Sequence, residues 1–380
     1  MVATPTQRPA EASLIQFVMY FLRLGCFGFG GPIALVGYMQ KDLVEERRWI
    51  AQQDYLDGLA FSQLAPGPLA AQLAMYLGFL RAGFLGATAV GVAFILPSFL
   101  MVAAIGWAYV HFGGMPIIAA SFYGIGAAVI AIIARSATKL IKTTIKTDKL
   151  LWAVFLALGI STAITEREFM WLFLAAGIVV MMARASIAAW KKRAAMPAML
   201  PAGMVLGKAS SLFLFFLKSS LFVFGSGLAI VPFLHGGVVQ EHHWLTESQF
   251  LDAVAVAMIT PGPVVITVAF IGYMVAGFWG ACIAALGVFL PVYLFVVLLA
   301  PSFRRFSQNV QLRAFVQGVT AAATGAIAGS VFVLARHSVR DLWTASIAAT
   351  TFAILTKWKV PEPLIIVAAG LLGLGIRLRY

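Results

Sequence analysis

Two triplets, Pro66-Gly67-Pro68 and Pro261-Gly262-Pro263, sit in the middle of long apolar runs. Proline inside a helix removes a backbone hydrogen bond and strains against the preceding turn, so each run must break where its triplet falls. The break leaves N–H groups unpaired at the start of the next helix, beside the positive end of a half-helix dipole, which suits an anion. At membrane depth such backbone survives only where protein covers it or where it lines a watery cavity. Interrupted segments at matching places in two halves point to the binding site of a secondary transporter.

Charge supplies a second piece. Arg23 and Lys218 each lie well inside an apolar run, about 14 Å along a helix and near mid-membrane depth. An ionisable residue that deep is a functional-site expectation, set against the plainer reading of a side chain snorkelling to the interface. Two such cations, with no acidic span residue at matching depth, predict a multivalent anion as ligand. The glycine patches Gly28 to Gly31 and Gly225 to Gly227 serve either substrate approach or close helix packing, and Gly30, Gly31 and Gly225 join the triplets as candidate substrate contacts. Asp57 and Asp252, shortly before the triplets, either carry protons or cap and pair near the membrane face. Glu46 and Glu241 are further candidates for proton coupling, although their neighbours Trp49 and Trp244 read as interfacial anchors. His235, His242 and His243 share one polar connector without cysteine partners and read as solvated surface residues, so no metal is expected. With no Walker loop and no HExxH, neither ATP drive nor metalloprotease chemistry is supported, and no cofactor is expected.

The elements that must position these residues follow from composition. Of 380 residues, 62% are hydrophobic and 11% charged, and the mean hydropathy is +0.95. Soluble domains carry about a quarter charged residues, so this is an all-α polytopic membrane protein. The net charge of +13 resides in short connectors, such as Lys139, Lys142, Lys146 and Lys149. Membrane orientation therefore explains it more simply than nucleic acid does. Cys26 and Cys282 both lie in apolar runs and read as packed thiols rather than a disulfide. The start, Met1 to Ala12, is polar and the run after it too long for a cleavable signal.

The second half repeats the first. At one constant offset Phe222, Phe224, Gly225, Glu241, Trp244, Asp252 and Pro261-Gly262-Pro263 fall on Phe27, Phe29, Gly30, Glu46, Trp49, Asp57 and Pro66-Gly67-Pro68, and after one deletion Pro291 falls on Pro97. The expected organisation is a first repeat at 1–190, a basic cytoplasmic linker at 191–208 and a second repeat at 209–380. If the Pro-Gly-Pro segment is a re-entrant hairpin, each half has about five transmembrane helices plus that segment, and the halves are inverted repeats. If it crosses, the halves are parallel and strand Arg304, Arg305 and Arg313 outside. The positive-inside rule favours inversion.

Phe27-Gly28-Phe29-Gly30-Gly31-Pro32, Glu46-Arg47-Arg48-Trp49 and the run Leu59 to Pro68, repeated more loosely in the second half, resemble the chromate ion transporter family in its long, two-domain form. The resemblance implies ion-gradient-driven or exchange-driven efflux of chromate across a bacterial inner membrane, conferring chromate resistance, with sulfate as a competing anion. The expected partners are chromate, sulfate and protons, with the lipid bilayer as surroundings and a homodimer as the assembly. The second half departs from the pattern where Ser226 and Gly227 replace Gly31 and Pro32, and His242-His243 replace Arg47-Arg48. The residues alone leave open an inward permease for sulfate or a related oxyanion, a channel, and a lipid-phosphate flippase. They offer least to an enzyme, for lack of a nucleophile and base at membrane depth.

Overall fold

The computed structural model describes residues 12–113, 115–166, 170–185, 208–221, 223, 230–303, 309–339, 341–358 and 360–377, almost all of them helical and none in a strand. The expected contacts at Gly225 and the arginines Arg304 and Arg305 lie outside the described residues. The first half contains α1 (Leu14–Phe27), α2 (Gly31–Met39), α3 (Gln52–Leu64), α4 (Leu69–Phe112), α5 (Pro116–Leu140), α6 (Lys149–Thr165) and α7 (Met170–Arg184). The second contains α8 (Lys208–Ser220), α9 (Ile230–His235), α10 (Glu247–Ile259), α11 (Thr267–Leu299), α12 (Val310–Ser338), α13 (Leu342–Lys357) and α14 (Glu362–Arg377). Among the described residues, four segments are long and apolar enough to cross a membrane: Leu69–Phe112, Pro116–Ile145, Val264–Ser302 and Val310–Arg336.

The Pro-Gly-Pro segment folds back on itself. Gly58 of α3 packs on Tyr76 and Leu73 of α4, and Phe61 stacks on Tyr76 with ring centroids 5.4 Å apart, so the triplet is the tip of a helical hairpin. Helix α4 then reverses at Ala82 and Gly83, where the backbone leaves helical geometry, and Gly78 on one limb meets Gly86 on the other. The same happens in α11 at Ala276 and Gly277, with Gly272 against Gly280. Small residues allow these backbones to touch, which is how helices pack when lipid offers no hydrophobic drive.

The glycine patch divides the first apolar run in the same manner. Gly28 ends α1 and Gly30 precedes α2. The return limb brings Arg47 over the Tyr20 ring at 5.5 Å, and Trp49 within 6.2 Å of Phe17. The first half therefore begins with two short hairpins, one tipped by glycine and one by Pro-Gly-Pro, and the Pro-Gly-Pro hairpin recurs in the second.

The long helices fix the relation between halves. Thr88 and Tyr293 hydroxyls lie 2.7 Å apart, Phe99 and Phe278 are 6.1 Å apart, and Gly106 packs on Tyr273, so the long limbs of α4 and α11 run antiparallel. They are equivalent helices, and an inverted repeat requires this sense. The last two helices are exchanged: α13 and α14 pack on α5, while α6 and α7 pack on α12. Gly124 meets Ala369 and Gly373 on one side, and Gly318 meets Ala176 and Gly177 on the other.

Candidate functional site

The hairpin tips of one half are tied to those of the other. The Gly67 N–H donates to Val223 O at 2.6 Å, and the Gly262 N–H donates to Gly28 O at 2.9 Å. Gly67 has φ +137 and Gly262 φ +95, a region open to glycine and costly for other residues. A methyl group on Gly262 would collide with the Ser98 hydroxyl, and one on Gly67 would come within 2.9 Å of Val292 Cγ2. Gly67, Pro68, Pro261, Gly262 and Pro263 are buried and Pro66 is half-buried. The Gln72 Nε2 donates to Pro66 O at 2.8 Å, which holds the first tip closed. The triplets are thus the joint between halves, and the residues flanking them face open space.

That space is a cavity of about 570 Å³, within the roughly 300–1,000 Å³ common for small-molecule sites. Gly30, Gly31 and Pro32 line it from the first tip, Gln63 and Leu69 from either side of the first triplet, and Met258 and Val264 from either side of the second. Three helix starts converge there: α2 at Gly31, α4 at Leu69, and the short helical turn Val264–Ile266 that leads into α11. Their free N–H groups and dipole ends favour negative charge. Arg135, Ser136 and Lys139 of α5, and Thr143 and Thr144 of the turn that continues it, line a long wall, and Thr320 of α12 and Glu362 of α14 complete the lining. The wall runs toward the end of α5 that is followed by Lys146 and Lys149. Chemically this is a basic, hydroxyl-rich cleft suited to an oxyanion.

A chromate transporter sequence profile matches residues 15–182 and again 210–374. The chain belongs to the chromate transporter family. The transporter is 58% identical over 373 residues to the chromate transport protein of Cupriavidus metallidurans, covering 95% of this chain and 93% of that relative. It is 52% identical to the probable chromate transport protein of Synechococcus elongatus, over 95% of each chain. It is 33% identical to the chromate transport protein of Pseudomonas aeruginosa, over 98% of this chain and 94% of that one. No solved structure matches it.

The transporter's cavity gathers some expected residues and leaves out others. Gly30 and Gly31 line it, and the two triplets frame it. Arg23 and Lys218 are exposed on α1 and α8, outside its wall. Arg23 shares its exposed face with Met19 and Phe27, which are 55% and 73% exposed. Depth alone placed both cations in the site; the direction in which each side chain leaves its helix takes them out of this cleft. Asp57 accepts from Gln53 Nε2 at 2.9 Å on the surface of α3. Asp252 is 6% exposed and accepts from the Tyr109 hydroxyl at 2.6 Å, a contact between halves. Glu46 pairs with Lys41 at 3.5 Å and Glu241 is exposed, both at the hairpin feet. His242 and His243 are exposed, but His235 is buried and pairs with Glu247 at 2.7 Å. Burying a polar ring is tolerable when it is hydrogen-bonded, which is why the connector reading failed at His235.

Sequence reasoning missed Arg135, Lys139 and Glu362. Lys139 reads as loop, yet α5 continues through it. The available signal was spacing: Arg135 and Lys139 stand one helical turn apart and so share a face.

Proposed function

We propose that this protein is a secondary active transporter that exports chromate from the cytoplasm of a bacterium and so confers chromate resistance, driven by an ion gradient or by anion exchange. The observation that carries this reading is the pairing of Arg135 and Lys139 in a cavity on which three helix starts converge. A dianion leaving water must have its hydration replaced, and a charge contact at about 4 Å supplies roughly 4 kcal/mol at an effective dielectric near 20. Helix starts add about 0.3–2 kcal/mol each, so the cations carry the charge and the tips the shape. The names of the relatives support chromate as the anion.

In the inverted arrangement the basic connector after α5 lies in the cytoplasm, and the cleft that runs toward it faces the same side. Antiparallel packing of α4 and α11 supports the inversion, and rocking about the buried tips would present the anion to the other face. The lateral groove between α4 and α11 is lined by apolar side chains such as Ile95, Phe99, Leu286 and Phe289. It has no cation for a phosphate headgroup, so the flippase reading gains no support there.

The test is chromate binding by the purified protein, paired with chromate uptake into inside-out vesicles. Arg135→Gln and Lys139→Gln should each weaken binding at least tenfold, about 1.4 kcal/mol, at unchanged yield of folded protein. Arg135→Lys should restore part of the affinity, because the charge remains while the forked donor geometry is lost. Parent-like binding in both glutamine variants would move the site elsewhere.

A further inference from the structure

Glu362 opens α14 and lines the same cleft as Arg135 and Lys139, and it comes from the other half of the chain. It is half-buried, and its electrostatic surroundings are those two cations. Among the described residues none of the three closes an ion pair, so they share the cavity with space between them. A carboxylate has no evident place in a site that must take up a dianion, since like charges in a partly desolvated cleft repel. It is also poorly explained as a structural partner, because it touches neither cation.

We infer that Glu362 is the proton site of the transport cycle, ionised opposite Arg135 and Lys139 when the cleft is empty and protonated when the dianion is bound, so that one anion and one proton are taken up together. The inference rests on the cleft being the chromate site. The physical cause is competition for the same positive charge. In the empty cleft the carboxylate balances part of the charge of the two cations. An arriving dianion neutralises them more fully and places negative charge beside Glu362, which favours the neutral acid. By linkage the proton must then favour the anion to the same degree. The loaded cleft carries one negative charge fewer than it would without the proton.

The other groups around Glu362 do not offer this. Besides α5, helix α14 packs on α10, whose only charged residues, Glu247 and Asp252, lie in its first half, whereas Met258 near its end lines the cleft. Helix α12 presents Thr320 and carries no charge between Arg313 and Arg336. Asp252, another buried carboxylate, is already engaged by Tyr109 and is not among the residues that line the cleft.

Calorimetric titration of the purified protein with chromate, in alkaline buffers that keep the anion fully dianionic and that differ in ionisation enthalpy, counts the protons taken up on binding. The parent should take up a proton, with affinity falling as pH rises. Glu362→Gln, which mimics the neutral acid, should take up none, lose the pH dependence and bind at least tenfold tighter at alkaline pH, since uptake of nearly a whole proton needs a coupling of about two pKa units or more. Glu362→Asp should keep both the uptake and the pH dependence. Proton uptake retained in Glu362→Gln, or weaker binding by it, would overturn the inference. Arg135→Gln separates the two readings: if it weakens binding while Glu362→Gln still takes up a proton, only the coupling fails. If Arg135→Gln binds as the parent does, the site itself fails and the coupling with it.

Discussion

The hairpin tips of the two halves are close copies, whereas the helices that face them, α5 and α12, are not. Gly67 and Gly262 make the same backbone bond to the opposite half. The feet of the first hairpins agree as well: Arg47 lies over Tyr20 and Trp49, and His242 takes its place beside Phe215 and stacked on Trp244 at 4.4 Å. Even the turn after them is shared, with Arg48 at φ 54 and His243 at φ 50. The match fails one layer away. If Gly124 and Gly318 are matched by their equal packing, Arg135 falls opposite Gly329 and Lys139 opposite Val333. Gly329 cannot be a cation, because any side chain there would begin with a Cβ only 2.6 Å from Gly159 O and 2.8 Å from Thr162 Cβ of α6. Duplication therefore preserved the backbone joint, and the chemistry settled on one side of it.

The hardest blow to the symmetric part is a side chain at a tip. Gly262→Ala combines a positive φ with a collision against Ser98, and Gly67→Ala combines the same strain with a softer contact on Val292. We expect Gly262→Ala to abolish folded protein and Gly67→Ala to reduce it, measured as monodisperse yield from detergent. The smaller variant pair Ser98→Ala with Gly262→Ala should recover part of the loss, because the hydroxyl that blocks the methyl is gone. Equal, mild effects at both glycines would mean that the joint is looser than the contacts indicate.

The next contrast is between the two aspartates. Asp252 is buried and takes the Tyr109 hydroxyl, while in the other copy Phe303 occupies the place of Tyr109 and meets the Phe61 ring at 5.2 Å. Asp252→Ala leaves a buried hydroxyl unpaired and should cost about 1–3 kcal/mol of stability. Asp57→Ala, on a half-exposed face, should stay within about 0.5 kcal/mol. Thermal unfolding in detergent reads both. A double variant that adds Tyr109→Phe to Asp252→Ala should recover part of the loss, since no donor is then left without a partner. Equal melting of the two single variants would remove the asymmetry.

These contrasts also mark what sequence could reveal. The duplication, the broken helices and the folding back at the triplets were legible because proline and glycine act through local backbone geometry that repeats in register. The hairpin at Gly28 was only half legible, since a glycine patch serves packing and breakage alike. The tips that frame the cleft were legible, but its basic wall was not. That wall is completed when α14 of one half packs on α5 of the other, and no local pattern announces which helix a distant one will cover. Ser220 shows the same limit on a smaller scale. It stands where the first copy has Gly25, and its hydroxyl reaches Val288 O at 2.8 Å, so a departure from the repeat proves to be a substitute contact.

The smallest effect should come from the pair of cations that first suggested an anion. Arg23 and Lys218 match in the two halves, are exposed, and do not line the cleft that holds Arg135 and Lys139. A charge outside the cleft acts on the anion through solvent and headgroups, where an effective dielectric near that of water reduces each contact to about 1 kcal/mol or less. Arg23→Gln and Lys218→Gln should therefore change chromate affinity by less than about threefold, well under the 1.4 kcal/mol of a tenfold change. Because both stand at matching points of the half-helices, their loss should tell equally in the two halves, unlike loss of Arg135, which has no counterpart on α12. Binding to purified protein, measured beside Arg135→Gln on the same preparation, gives the ratio directly. A tenfold loss in Arg23→Gln alone would bring α1 into the anion path and make the first half the seat of both charge and joint. A tenfold loss in both would show that the tips turn these cations inward when the carrier changes state, and that the symmetry of the hairpins extends to the substrate after all.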